Sequence, residues 1–268
     1  MSDLTALRAL RGFIFDMDGV IYRGRQVLPG AAELVTNLRR AGVPFLFLTN
    51  NSTTPPTAVA ERLIGMGIPV DPAEILTSAE ATAEMLASEM PGCRVLVVGE
   101  QGIQEALLAA GLSIVSAHQD ADAVVVGLDR QCTYAKLREA ALAIRRGARF
   151  VATNPDRSFP TEEGLVPGAG ALVAALELAT DVKAQVIGKP EPAFFLHALR
   201  RLGTPPPQTA VVGDRPETDI LGGQQAGLRT IAVLTGTGTR AQFAAMHPPP
   251  DWVFNNLVEL NQAYFGTP

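Results

Sequence analysis

The 268-residue chain is short of the residues that mark several function classes: it has two cysteines, three histidines and one tryptophan. Cys93 and Cys132 stand far apart and outside any C-x-x-C pattern, so neither a disulfide framework nor a thiolate metal site is expected. They read as reduced, partly buried thiols. His118, His197 and His247 are equally scattered, and no histidine-centred mechanism follows; His197, within residues 193–199, reads as a helix-face residue. There is no Lys/Arg run, and the net charge is -5 with a pI near 5.3, which argues against nucleic acid or an anionic membrane as partner. No apolar run reaches the length of about 18 residues that a membrane span requires. Met1-Ser2-Asp3-Leu4 shows no charged-then-apolar leader, so the expected location is the cytoplasm. The partner left by these exclusions is a small molecule.

Apolar residues are plentiful, at 47% against 18% charged, enough for a large core at a size where chains begin to divide into two domains. Strand and helix signals alternate along nearly the whole length, the pattern of an α/β protein with parallel strands. Helices are expected near residues 31–41, 57–66, 101–110, 133–147, 168–179 and 257–265. Strands are expected near 43–48, 94–98, 123–127, 149–152, 230–234 and 252–254.

The chemistry gathers at strand tips. Phe13-Ile14-Phe15-Asp16-Met17-Asp18-Gly19 is a buried-strand run that ends in two carboxylates and a glycine. Two acids this close repel, and folding tolerates them only where a cation or a proton resolves the repulsion. Leu48 gives way to Thr49-Asn50-Asn51; Val186-Ile187-Gly188 reads as a short strand that delivers Lys189; Ala210-Val211-Val212-Gly213 ends in Asp214, with Asp219 five residues on. In open α/β sheets ligands sit beyond the carboxyl ends of the strands, so these tips converge if residues 1–77 and 186–268 share one sheet. Residues 78–185 carry no comparable tip and read as an inserted second domain, with hinges near Ser78 and Ile187.

Four carboxylates around one lysine would repel an anionic substrate unless a divalent cation is added. Magnesium takes oxygen ligands, one or two carboxylates among them, and accepts a phosphate oxygen. With Asp16, Asp214 and phosphate as ligands the charges largely compensate. An aspartate can attack phosphorus to give an acyl phosphate, and a second acid, Asp18, can protonate the leaving oxygen and then deprotonate water. Thr49 and Asn50 can donate to the transferring oxygens, and Lys189 can balance charge on Asp16 and the phosphoryl group.

In order, Phe15-Asp16-Met17-Asp18-Gly19-Val20, Leu48-Thr49-Asn50-Asn51-Ser52, Gly188-Lys189-Pro190 and Val212-Gly213-Asp214-Arg215-Pro216-Glu217-Thr218-Asp219-Ile220 resemble the four motifs of the haloacid dehalogenase-like (HAD) phosphatase superfamily. The double asparagine, the long middle block and Gly164-Leu165-Val166-Pro167-Gly168-Ala169-Gly170 resemble its NagD and 4-nitrophenylphosphatase branch. The resemblance implies a doubly wound, Rossmann-like α/β core (1–77 and 186–268) with an inserted α/β cap (78–185). It further implies a Mg2+-dependent phosphoric monoester hydrolase with Asp16 as nucleophile and metal ligand. Asp18 would be the acid/base that also lends its carbonyl to the metal, Asp214 a metal ligand, and Asp219 the acid that supports a metal-bound water or Lys189. Thr49 and Asn50 would bind phosphate. Asn51, Asn154 and Asp129 are candidate substrate contacts, the last two from cap loops. The ester is left open among sugar phosphate, nucleoside monophosphate, phosphoglycolate, pyridoxal phosphate and 4-nitrophenyl phosphate types. A phosphoryl transferase or mutase, and a non-catalytic phospholigand sensor, are the alternatives; a homodimer is also left open, since a cap of this size can carry dimer contacts.

Two other patterns weaken on inspection. As a calcium loop the Asp16–Asp18 segment fails, with Val20, Ile21 and Val27 at positions that need a ligand, a glycine and a glutamate. Gly236-Thr237-Gly238-Thr239-Arg240-Ala241 fits a G-x-G-x-x-A dinucleotide fingerprint, but Asn256 stands where the acid should be, so a glycine-relaxed loop at the sheet edge is expected. Arg215-Pro216-Glu217 receives no role.

Overall fold

The computed structural model describes residues 4–161 and 163–266; Met1-Ser2-Asp3, on which the expectation of no leader rests, lie outside the described residues. The protein is α/β, with a parallel sheet in each of two compact units. One unit takes the chain up to Leu48, Val59–Leu76 and the chain from Lys189 onward; the other takes Thr49–Ala58 and Thr77–Gly188. Thr49–Ala58, which the sequence reading kept with the outer pieces, thus groups with the inserted one.

The first unit holds a six-stranded sheet in the order Trp252–Phe254, Arg229–Val233, Thr209–Gly213, Gly12–Phe15, Phe45–Thr49, Ile75–Thr77. Gly12–Phe15 is flanked in parallel on both sides, Phe15 lying opposite Val212 on one side and Phe47 on the other. From this strand the chain builds outward first one way and then the other, so the strand order reverses beside it. That reversal is where a doubly wound sheet opens a crevice at its carboxyl edge. All four residues of Gly12–Phe15 are buried, as expected for a strand covered on both faces. Helices close over it: Leu34, Val35 and Leu38 of Ala31–Arg40 join Phe13, Phe15 and Phe47 in one apolar cluster, and Phe13 meets Tyr264 of Leu257–Phe265 edge to face at 5.0 Å. Gly30, at φ +84°, starts the first of these helices. A Cβ there would strike the backbone of Leu257 and Val258.

The second unit has a five-stranded sheet in the order Gln185–Val186, Arg149–Ala152, Ala123–Val126, Arg94–Val98, Ser113–Val115, its pairs all parallel. One expectation fails here. The strand ahead of Lys189 does not join the outer sheet, because Gln185–Val186 pairs with Arg149–Ala152 in the second unit. Lys189 is instead the first residue of the chain's return to the first unit. A separate antiparallel ribbon, Ser158–Thr161 with Gly164–Pro167, was not read from the sequence. Its two prolines hide the strand signal, and a two-stranded ribbon tolerates them because each strand is an edge. Cys93 and Cys132 are free thiols, the first buried and the second partly so. Among the described residues no helix is long and apolar enough to cross a membrane.

Candidate active site

Gly12–Phe15 and Thr209–Gly213 are neighbours in register, so the residues that follow them, Asp16 and Asp214, emerge at the same sheet edge. Just past the second strand, Pro216–Ile220 forms a single widened helical turn that carries Asp219 back toward the strand end. Gly213 permits this: a Cβ on it would run into the Asp219 side chain. One carboxylate oxygen from each of Asp16, Asp214 and Asp219 lies within 4.8 Å of the others.

Lys189, 3% exposed, enters this cluster. Its Nζ donates to Asp16 Oδ1 and, at 2.7 Å, to Asp219 Oδ1. Asp219 Oδ2 accepts from the Arg215 backbone N–H at 3.1 Å, so both of its oxygens are engaged. Asp214 differs. Its Oδ2 accepts from Thr237 N at 2.7 Å and Thr237 Oγ1 at 3.2 Å, while Oδ1 is buried with no hydrogen-bond partner. A buried anionic oxygen without a partner is costly. Three oxygen donors with one left open match the requirements of magnesium.

Electrostatics say the same. Burial, reinforced by the Asp219 and Asp214 charges and opposed by Lys189, pushes Asp16 up to about 8; burial and Asp219 push Asp214 up to about 6. For Lys189, burial works against the ammonium, but Asp16 and Asp219 overcome it and hold its pKa above the usual range. Three carboxylates against one lysine leave the cluster with excess negative charge that a divalent cation would neutralise.

Asp18 lies outside the carboxylate cluster and is exposed. Gly19, at φ +84°, turns the chain so that Gly19 N–H donates to Tyr22 O at 2.8 Å and Asp18 bridges to Tyr22. Although the Asp18 side chain reaches solvent, desolvation by the surrounding protein raises its pKa, while Arg215, Arg62 and Arg23 moderate the rise. A carboxyl held toward its protonated form suits a general acid. Arg62 and Tyr22 belong to this setting: Arg62 donates to Tyr22 Oη and stacks 4.5 Å from its ring centroid. Sequence reasoning missed both, as well as Arg215, and nothing in their spacing announces a link across forty positions.

The other predicted residues, Thr49, Asn50, Asn51, Asn154 and Asp129, belong to the second unit. Thr49 Oγ1 accepts from Asn51 N at 3.1 Å, and Asn51 Oδ1 accepts from Thr53 N and Thr53 Oγ1. The Asn50 carbonyl receives Ser78 Oγ at 2.8 Å and Asn154 Nδ2 at 2.9 Å, and its Nδ2 donates to Asp156 Oδ2 at 3.2 Å. Asn154 is buried and also caps Asp156 N. Asp129 is buried too, bound by Lys136 Nζ at 2.7 Å and Gln131 N at 2.9 Å. In this structure Asn51, Asn154 and Asp129 thus spend their side chains on local bracing.

A model of the haloacid dehalogenase-like hydrolase family matches residues 13–113, and a second, HAD-hydrolase-like model matches 186–260. The chain belongs to the haloacid dehalogenase-like hydrolases. Within them it falls in the NagD and 4-nitrophenylphosphatase branch, and the enzyme class expected from the motifs, a phosphoric monoester hydrolase, stands with that membership. It is 41% identical over 253 residues to an acid sugar phosphatase of Staphylococcus aureus, covering 94% of this chain and 97% of that one. Its fold is similar to a 4-nitrophenylphosphatase of Thermotoga maritima (TM-score 0.91, 36% identity, 97% of this chain and 99% of that one). It is also similar to a glycerol phosphate phosphatase of Mycobacterium tuberculosis solved in complex with magnesium (TM-score 0.90, 38% identity, 96% and 78%).

In this HAD enzyme residues 236–238 follow Arg229–Val233, a strand flanked in parallel by Thr209–Gly213 and Trp252–Phe254, and so stand at the carboxyl edge of the sheet. They pack on Asp214.

Proposed function

We propose that this enzyme hydrolyses small phosphate monoesters, sugar phosphates and 4-nitrophenyl phosphate among them, in two steps through Asp16, with magnesium as its ion. The observation that carries the proposal is the convergence of Asp16, Asp214 and Asp219 with buried Lys189 while Asp214 Oδ1 is left without a partner. Asp16, Asp214 and the Asp18 carbonyl would hold the ion, which when bound draws charge from the phosphoryl oxygens and aligns the ester.

The chain's own groups perform the rest. An Asp16 oxygen forms a bond to phosphorus as the ester P–O bond breaks, and Asp18 gives its proton to the departing oxygen. The resulting carboxylate of Asp18 then takes a proton from water, whose oxygen attacks phosphorus and frees Asp16 and inorganic phosphate. Lys189 opposes the protonation of Asp16 that burial favours and offsets charge as it moves onto the phosphoryl group. Asp219 fixes Lys189. Thr49 and Asn50 would donate to the phosphate, with Asn154 and Ser78 holding the Asn50 backbone. The second unit would serve as the inserted cap.

Steady-state phosphate release from 4-nitrophenyl phosphate, with magnesium and with chelator, tests this. The chelated enzyme should be inactive, and Asp16→Asn should lose roughly 10³-fold or more in kcat. Equal turnover with and without chelator, or an active Asp16→Asn enzyme, would overturn the proposal.

A further inference from the structure

The segment Thr235-Gly236-Thr237-Gly238 overlaps residues 236–241, which fit a dinucleotide fingerprint in sequence, yet it lies against the reaction centre. Three sets of contacts define what it does there. Thr237 saturates Asp214 Oδ2 through its backbone N–H and its hydroxyl, and Gly238 N–H donates to the Asp214 carbonyl at 3.0 Å. Thr235 Oγ1 donates to the Gly19 carbonyl at 2.6 Å, and the Thr235 carbonyl accepts from Arg23 Nη2 at 2.5 Å, so the same segment ties down the turn that carries Asp18. The Asp214 carboxylate also sits in a slot between two glycines. A Cβ on Gly19 would come within 2.8 Å of Oδ2, and one on Gly236 would overlap the carboxylate outright. Gly236 shows no left-handed φ, so backbone strain does not explain the glycine. The room it leaves for Asp214 does.

A carboxylate free to rotate could turn either oxygen to the cluster or pair with nearby donors. Here Oδ2 is held by two donors in the space the glycines leave, so Oδ1 is the oxygen on offer. We infer that Thr235-Gly236-Thr237-Gly238 is a positioning segment that fixes Asp214 with Oδ1 presented to the cation and locks the Asp18–Gly19 turn beside it. The inference rests on the magnesium-dependent reading above. Residues behind a metal ligand set its orientation, and their loss commonly costs about 10–100-fold in metal affinity.

Calorimetric titration of chelator-treated enzyme with magnesium reads this without turnover. Wild type should bind one ion, and Asp214→Asn should lose it. Gly236→Ala should bind at least about tenfold more weakly; Thr237→Val should bind roughly three- to tenfold more weakly, and Thr237→Ser, which restores the hydroxyl, should recover most of that loss. At saturating magnesium Thr235→Val should lower kcat on 4-nitrophenyl phosphate about tenfold with KM little changed, since it loosens the turn of the acid/base. Circular dichroism and Tm establish that each variant folds; if Gly236→Ala does not, the Thr237 pair carries the test. Failure of wild type to bind, or binding by Asp214→Asn equal to wild type, would overturn the magnesium reading itself. Wild-type affinity in folded Gly236→Ala and Thr237→Val, with Asp214→Asn impaired, would overturn the positioning role alone.

Discussion

Lys189 shows how much a single residue of this enzyme carries. Its ammonium is buried between two carboxylates, a geometry in which removal of one partner leaves the others unbalanced in low dielectric. Lys189→Met should therefore lower kcat/KM by about 10²–10³-fold, measured on 4-nitrophenyl phosphate at saturating magnesium. Lys189→Arg should not rescue it, because a planar guanidinium does not fit where a compact ammonium reaches two acids. A loss below about threefold would leave Lys189 with no part in charge balance. The residue itself was legible, because a lysine beside Gly188 and Pro190 is unusual at the end of an apolar run. How it reaches Asp16 was not, since sequence adjacency to a strand does not say which sheet the strand joins. Tyr22, Arg62 and Arg215 were illegible for a related reason: each acts through a partner distant in sequence.

Among elements, the buried strands and amphipathic helices were legible from their periodicity: Arg94–Val98 and Arg149–Ala152 occur as read, and most others shift by a residue or two. What periodicity does not encode is the work of loops. Asn154 had been a candidate substrate contact, and here it spans the loop after Arg149–Ala152 and the Asn50 turn, donating to Asn50 O and accepting from Asp156 N. Asn154→Ala should destabilise the enzyme by about 1–3 kcal/mol, as expected for a buried residue whose partners lose their bonds, read as a shift in the urea midpoint. If its role is bracing, the ratio of kcat/KM between a sugar phosphate and 4-nitrophenyl phosphate should stay within about threefold of wild type. A tenfold change in that ratio with unaltered stability would make Asn154 a substrate contact after all.

For the whole molecule the cluster makes stability depend on pH and on metal together. Asp16 at about 8 and Asp214 at about 6 lie above their unfolded value of 3.8, raised first by burial and then by neighbouring acids. Between the unfolded and folded values the native metal-free state holds more protons than the unfolded chain, so stability falls as pH rises. The favourable contribution is complete below pH 3.8 and lost as pH climbs through about 6 and then about 8. Magnesium competes with those protons, so its stabilising effect must run the opposite way and grow with pH. In thermal unfolding scans with chelator or with magnesium at one fixed concentration, near a hundred times its dissociation constant at pH 8, the gap in Tm should be small at pH 5. It should widen to roughly 5 °C or more by pH 8. Asp214→Asn removes one of the competing acids and a ligand together, so its gap should stay narrow throughout. A wild-type gap that is flat across this range, or that narrows as pH rises, would mean that the ion does not displace protons from Asp16 and Asp214 and that the cluster is held together in some other way.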